Sequence, residues 1–382
     1  MYLPSLKKKL HIAVIGGGLA GLCTSLDLSK RGFQVTLIEK DTYPRHRVCG
    51  EYISNEIVPY LEYLGISISQ LTDIHISEFQ LSTQKGNQIK SRLPLGGFGV
   101  SRYTLDNHLF QKGLSQGVLF LQEQVVAIKD ATKKDQKEIF FQKRGSLCFD
   151  LVVGAYGKRS VIDKSLKRNF INSYSPWLGV KAHYVGNFDN QRVALHNFDG
   201  GYCGISKVEN DKINVCYLVH FDSFKKYRHL KDFEINVLHQ NKYLKQFFEN
   251  SEMVFDKPIT ISQVNFSKRP LVEESILMVG DAAGLIHPLC GNGMAMAIRG
   301  ASLIAATIDE YAARYSSKEE LHKLYKEKWE NNFSRRLKAG RILQNLLLNS
   351  KVQELSYQVA RCIPAIIPKI IKQTHGKPMI CT

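Results

Sequence analysis

Gly16, Gly18 and Gly21 spell GxGxxG, and Glu39 lies 23 residues after the first of them. Together these residues can hold a dinucleotide. The first glycine permits a tight turn, the second lets a pyrophosphate approach the backbone, and the third lets helix and strand pack closely. The helix that starts there offers free N–H groups and partial positive charge to phosphate. An acid at about this distance accepts hydrogen bonds from ribose hydroxyls. Glu39 would also repel a 2′-phosphate, so the site suits FAD or NAD rather than NADP. Much later, Gly280-Asp281-Ala282-Ala283-Gly284 places another acid behind a glycine, and Gly291-Asn292-Gly293-Met294 follows. Two reactive side chains sit close to these motifs in sequence. Cys49 is a candidate thiol near a substrate, with plain packing as the alternative. His287 is a candidate proton donor, with a structural hydrogen bond as the alternative. None of the eight cysteines forms a CxxC pair and no histidine cluster has zinc spacing, so no metal site is expected.

The glycines need elements to position them. His11 to Ile15 is a short β-rich run that stops at glycine. Leu19, Leu22, Leu26 and Leu28 lie near one face of the helix that follows, which Gly32 ends. Gln34 to Glu39 reads as a second strand. Asp150 to Ala155 and Ser275 to Gly280 read as buried strands, the first running into Tyr156-Gly157-Lys158-Arg159-Ser160. Met294, Ile298, Ala301, Ala305 and Ile308 form the apolar stripe of a late helix. Between residues 166 and 268 the chain changes character. Ile213, Val215, Tyr217 and Val219 alternate, which predicts a strand with one covered face. Phe224, Tyr227, Leu230 and Phe233 read as the core side of a helical stretch.

The chain has 382 residues, 44% of them hydrophobic and 23% charged, which is ordinary globular composition and excludes disorder or a fibrous repeat. Its apolar runs fall short of the ~18 residues of a spanning helix. The net charge of +17 favours anionic partners. From Asn331 onward there are nine Lys or Arg against one acid, Glu354, together with the apolar stretch Ile363 to Ile371. A solvated basic face on packed helices accounts for this, and peripheral contact with an anionic membrane is the alternative. Unpaired cysteines are read as reduced thiols in a cytoplasmic protein.

The order GxGxxG…E, then G-A-x-G-x-x-S at Gly154 to Ser160, then G-D-A-A-G…P…G-x-G resembles the FAD-dependent monooxygenase and geranylgeranyl reductase superfamily. Pro44-Arg45-His46-Arg47-Val48-Cys49-Gly50-Glu51 resembles the P-R-x-x-x-C-G-E segment of its geranylgeranyl-reductase-like branch, and Ser101 to Asp106 resembles its R-x-x-L-D helix start. The resemblance implies an α/β fold, with a Rossmann-type FAD-binding domain interleaved with a β-sheet substrate domain, plus C-terminal helices. The corresponding boundaries are 8–70 and 71–165 for the FAD domain with inserted strands, 166–268 for the substrate domain, 269–315 for the last FAD segment and 316–382 for the helical region. It implies that Gly16, Gly18 and Gly21 hold the pyrophosphate of FAD and that Glu39 holds the adenosine ribose. Arg47, Gly50 and Arg102 would flank the cofactor, and Val125 would contact adenine through its backbone. Asp281 would hold the ribityl chain or pyrophosphate, and Gly293 and Met294 would present N–H groups to the flavin ring.

Three departures narrow the reading. Tyr156 stands where hydroxylases of the superfamily carry an Asp implicated in handling NAD(P)H, which counts against NAD(P)H as the direct electron donor. The W-x-W-x-I-P motif of flavin-dependent halogenases is missing. The Y-x-W-x-F-P segment of geranylgeranyl reductases is replaced by Gly201 to Ser206. The expected function is therefore an FAD-dependent oxidoreductase for a lipophilic small molecule, with hydroxylation preferred and alkene reduction the alternative. The rivals from other classes are a basic nucleic-acid-binding protein, which no recognised module supports, and a non-catalytic flavin-binding protein.

Overall fold

Short, mostly apolar strands assemble into a largely parallel sheet. The computed structural model describes residues 10–172, 174–227, 229–285, 291–314, 317–348 and 350–380, without the side chains of 344–351 and 353. Six strands run in the order Val272–Glu273, Ile276–Met278, Leu151–Gly154, His11–Ile15, Gln34–Ile38 and Leu119–Leu121. All neighbours pair in parallel except the outermost pair, Val272–Glu273 with Ile276–Met278. A parallel sheet needs both faces covered, which is why its central strands carry the near-continuous apolar runs Ile12–Ile15, Leu151–Val153 and Ile276–Met278. Helices Leu19–Lys30 and Gly293–Arg314 pack against each other beside this sheet, and Leu22, Leu26, Ile298, Ala301, Ala305 and Ile308 share its core.

The second body is a nine-stranded mixed sheet. Strands Trp177–Gly186, Ile213–His220, Gly201–Lys207 and Arg192–Phe198 run antiparallel in that order, flanked by Ser251–Met253 and Ile259–Ser262 at one end. Strand His75–Ser82 then pairs in parallel with Arg192–Phe198, and Gln88–Gly99 and Tyr52–Ser54 complete the other end. So the inserted strands of the 71–165 segment divide. His75–Ser82 and Gln88–Gly99 join the nine-stranded sheet, whereas Val125–Asp130, Lys137–Phe141 and Ser146–Phe149 form a separate three-stranded sheet.

The period-2 pattern of the large sheet gives it two unlike faces. One carries Val180, Ala182, Tyr184, Ile205, Val215, Tyr217 and Val219, covered by Phe233, Leu238, Leu244 and Phe247. Phe224, Tyr227 and Leu230 pack on the same cluster, as their helical spacing predicts. The register places Lys181 beside Cys216 and Cys216 beside Gly204, then His183 beside Asn214 and Asn214 beside Ser206. These residues form a polar ladder on the other face, toward the nucleotide half. Helices Lys318–Leu348, Ser350–Cys362 and Ile366–Thr374 finish the chain. The apolar stretch Ile363 to Ile371 turns Ile367 and Ile371 onto Tyr52, Ile74 and Leu93.

Candidate active site

One cavity of about 980 Å³ runs between the two sheets, lined at one end by Gly16, Gly18 and Glu39 and at the other by Leu93, Ile367 and Ile371. Gly16 has φ +105°, a left-handed conformation that side chains rarely adopt. A Cβ on Gly21 would collide with the Gly16 carbonyl, so helix and turn are in direct contact. Gly18 is different. A Cβ there would meet only Arg102 Nη2, at 3.8 Å. Gly18 also caps the helix Leu19–Lys30 in extended conformation, with no side chain bonded to the first-turn N–H groups. Free donors beside a backbone with open space are what a pyrophosphate requires. These residues fit the pyrophosphate of FAD.

Glu39 is buried. Its carboxylate accepts from Gly17 N at 2.8 Å and Asp41 N at 3.1 Å, and pairs with Arg45 at 2.7 Å and Arg47 at 3.4 Å. Arg102 grips Asp106 through Nε and Nη2, at 2.7 and 2.6 Å. Burial alone would lower its guanidinium; Asp106, then the Cys49 thiol, outweigh that and raise it. Its own helix start is fixed by Ser101, whose hydroxyl accepts from Thr104 N at 3.1 Å. Arg47, Gly50 and Arg102 thus lie along the cavity with Glu39. Val125 does not line it. It is buried at the start of its own strand, although the neighbouring Glu123 N bonds the Glu39 carbonyl at 3.1 Å.

Asp281, Gly293 and Met294 line the cavity opposite the glycine turn. Gly280, at φ +63°, has Ala20 so close that a Cβ would clash. That contact sets the Gly-Asp turn against the first helix. Two arginines that sequence reading passed over hold this turn from behind. Arg168, fully buried, pairs with Asp163 at 3.0 Å and donates to the Ala282 carbonyl at 3.1 Å. Arg269 donates to the Asp281 carbonyl at 3.0 Å and the Lys158 carbonyl at 2.8 Å, tying the two motifs together. Burial lowers the Arg269 guanidinium to about 10. Tyr156, at the departing position, donates to Met278 Sδ at 3.2 Å. His287 lies outside the described residues.

The segment around Cys49 lies on the polar ladder. Asn214 donates to the Cys49 carbonyl at 3.2 Å and Ser206 to the Gly50 carbonyl at 3.4 Å. Glu51, in a left-handed conformation with φ +54°, is wholly buried. Its carboxylate meets Lys181, His183 Nε2 at 2.7 Å and the Arg102 N–H at 2.7 Å. Burial alone would raise this carboxyl; Lys181 and then His183 outweigh it and hold it at about 2. His46 lies edge-on to His183, with ring centroids 5.0 Å apart, and lines the cavity. Burial, then Lys181, lowers its imidazole to about 4, so it is neutral at pH 7. Cys49 and Cys216 both face this stretch as free thiols, and burial raises that of Cys216 to about 12.

Beyond the ladder the same sheet face turns apolar. Leu195, Tyr202, Leu218, Leu81, Phe79 and Leu93 line the far arm, closed from above by Tyr357, Ala360 and Ile370. The C-terminal helices are therefore a wall of the cavity. Asn292 fastens them to the flavin side by donating to the Thr374 carbonyl at 2.7 Å.

The FAD binding domain family matches residues 9–336. The chain belongs to this family. It is an FAD-dependent oxidoreductase, and its cofactor is FAD. The chain is 24% identical over 336 residues to the 1H-pyrrole-2-carbonyl-[peptidyl-carrier protein] brominase of Pseudoalteromonas luteoviolacea, covering 79% of each. It is 23% identical over 384 residues to the digeranylgeranylglycerophospholipid reductase of Methanococcus vannielii, covering 97% of this chain and 93% of that one. Among solved structures, a flavin-dependent brominase superposes with a TM-score of 0.78 at 16% identity, over 97% of this chain and 95% of that one. Halogenases and reductases of the family thus share one fold with this chain.

Proposed function

We propose that this flavoprotein is a monooxygenase of the hydroxylase type acting on an uncharged, lipophilic small molecule. The observation that carries the reading is the far arm of the cavity, where Leu93, Leu195, Leu218 and Ile370 surround a space continuous with the flavin cradle. A pocket of that lining selects by apolar area and gives a charged substrate no partner. FAD, when bound, supplies the redox chemistry, and the protein supplies binding, orientation and electrostatics. Arg102 and the N–H groups after Gly18 would hold its phosphates. The helix beginning at Gly293 would offer its positive end to negative charge on the flavin ring when FAD is bound. Glu51, pinned by Lys181 and His183, fixes Cys49 and Gly50 between cofactor and substrate arm.

Alkene reduction is the second reading. It is supported by the Cys49 thiol at the junction of the two arms, a group able to deliver a proton, and by the end-to-end match with the archaeal reductase. The test uses FAD-loaded protein, reduced anaerobically with NADH or NADPH and then given oxygen and a panel of lipophilic substrates. A product carrying one added oxygen atom supports hydroxylation. A product carrying two added hydrogen atoms, formed without oxygen, replaces it with reduction. Turnover restricted to charged, water-soluble substrates would overturn both. Slow reduction by either nicotinamide, as Tyr156 leads us to expect, calls for a dithionite-reduced start in the same assay.

A further inference from the structure

The helix Ser350–Cys362 has two working sides. Ser356, Tyr357 and Ala360 face the cavity. On the adjoining side Leu355 is 62% exposed and Val359 42%, one helical turn apart, and Ile363 follows one turn later at 56%. Single exposed apolar side chains are ordinary. A row of three along this helix and the residue just after it is not, and Ile342 on the preceding helix adds another at 53%. The charge around the row is one-sided. Arg335, Lys338, Arg341, Arg361, Lys369, Lys372 and Lys377 are all exposed, and among the described residues none of them is in an ion pair. The one acid of the region, Glu354, accepts a hydrogen bond from Asn87 at 3.1 Å.

We propose that the helices Ser350–Cys362 and Ile366–Thr374 form a docking surface for an anionic lipid bilayer. Leu355, Val359 and Ile363 enter the acyl boundary, and Arg361, Lys369 and Lys372 meet headgroup phosphates. Two kinds of group decide the partner. Cations alone would suit a nucleic acid equally well, but a nucleic acid offers no apolar phase to three aliphatic side chains. A bilayer offers both phases, at the depth to which an amphipathic helix settles. The helices lie flat: Pro364 separates them, and none of the described helices is long and apolar enough to cross a membrane. Docked this way, the helix that walls the substrate arm lies directly against lipid. A lipophilic substrate then passes from membrane to cavity along Tyr357, Ala360 and Ile370 without crossing water. This last step rests on the lipophilic-substrate reading; the docking does not.

The test is flotation of the FAD-loaded protein with vesicles of phosphatidylcholine alone and of phosphatidylcholine with phosphatidylserine, at low and high salt. Binding to the anionic vesicles, weakened by salt, is expected. Each cation near the surface is worth roughly fivefold in affinity, so Lys369→Gln with Lys372→Gln should cost about thirtyfold. Leu355→Ser, Val359→Ser and Ile363→Ser together should cost at least about tenfold. All five positions are surface sites away from the flavin, so flavin content and melting temperature should match wild type. Equal binding to both lipids, no binding to either, or unchanged binding of the apolar triple variant would overturn the proposal. So would retention by an oligonucleotide in place of vesicles. Oxidation of a detergent-dispersed substrate by a protein that ignores vesicles would sink the docking surface and leave the proposed function standing.

Discussion

Replacing Glu51 by Gln tests whether the buried charge cluster, rather than the shape of the loop, holds the flavin-facing segment. Gln keeps the size and can still accept the Arg102 N–H bond now made at 2.7 Å. It removes the negative charge that Lys181 and His183 share in a site with no solvent exposure. Breaking a buried ion pair by neutralising one partner typically costs about 3–5 kcal/mol. With an unfolding entropy of roughly 2.1 cal/mol/K per residue, a chain of 382 residues should lose about 4–6 °C of melting temperature. The pH dependence carries the same signature. The carboxyl ordinarily titrates near 4.5 and here near 2, so its contribution is complete above about 4.5 and is lost as pH falls toward 2. Glu51→Gln should remove that part of the acid dependence. Differential scanning fluorimetry from pH 3 to 8 measures both effects. Adding Lys181→Met should recover much of the loss, because no unpaired charge then remains buried. A single variant within about 1 °C of wild type, or a double variant no better than the single, would refute the electrostatic account.

Two other perturbations separate the roles of neighbouring groups. Gly18→Ala should fold with an unchanged apoprotein melting temperature and yet lose FAD, because its Cβ occupies the phosphate space; Gly21→Ala should lower the apoprotein melting temperature as well, since its Cβ meets the Gly16 carbonyl. Flavin content beside apoprotein melting distinguishes the two. His196 is buried on Ser82, with Nδ1 2.8 Å from the hydroxyl, and burial lowers its imidazole from 6.5 to about 3. Its neutral form therefore stabilises the fold fully above about 6.5, and that contribution is lost as pH falls toward 3. His196→Gln should flatten the decline of stability over that window, measured by urea unfolding at several pH values.

The nucleotide end of the cavity was legible because its logic is local. Gly16, Gly18, Gly21 and Glu39 sit within one strand–helix–strand unit, and each glycine answers to a backbone requirement visible in the spacing. The apolar alternation of Ile213, Val215, Tyr217 and Val219 likewise announced a covered face, which the helices carrying Phe233 and Phe247 supply. Glu51, Lys181 and His183 were not legible, because 130 residues separate the acid from its first partner. A signal was present nonetheless. In Val180-Lys181-Ala182-His183-Tyr184 two titratable residues alternate with apolar ones in a strand whose apolar side is core, so the polar side had to face something specific. The inward side of the C-terminal helices was not legible for the opposite reason. Their composition records the outer surface, where the cations are, and says little about Tyr357, Ala360 and Ile370, which look inward.

The division of the large sheet explains how a brominase and a lipid reductase can share this architecture. A fold shared between different activities says little about substrate, so the lining at Gly16, Arg102 and Asp281, at the end of the cavity with the glycine turn, does not select it. That information must lie where the sheet face changes from the polar ladder of Lys181, His183, Asn214 and Cys216 to the apolar arm of Leu195, Leu218 and Leu93. The ladder supports the loop Cys49–Glu51. The arm continues the same face along and beyond those strands, with Leu218 on the strand of Cys216 and Leu195 opposite Gly204, and is closed by helices from the far end of the chain. Substitutions at Leu93, Ile367 or Ile370 can then reshape the substrate space while Glu51 and its partners keep the flavin-facing loop in place, and a fold built this way can change what it oxidises without changing how it holds FAD.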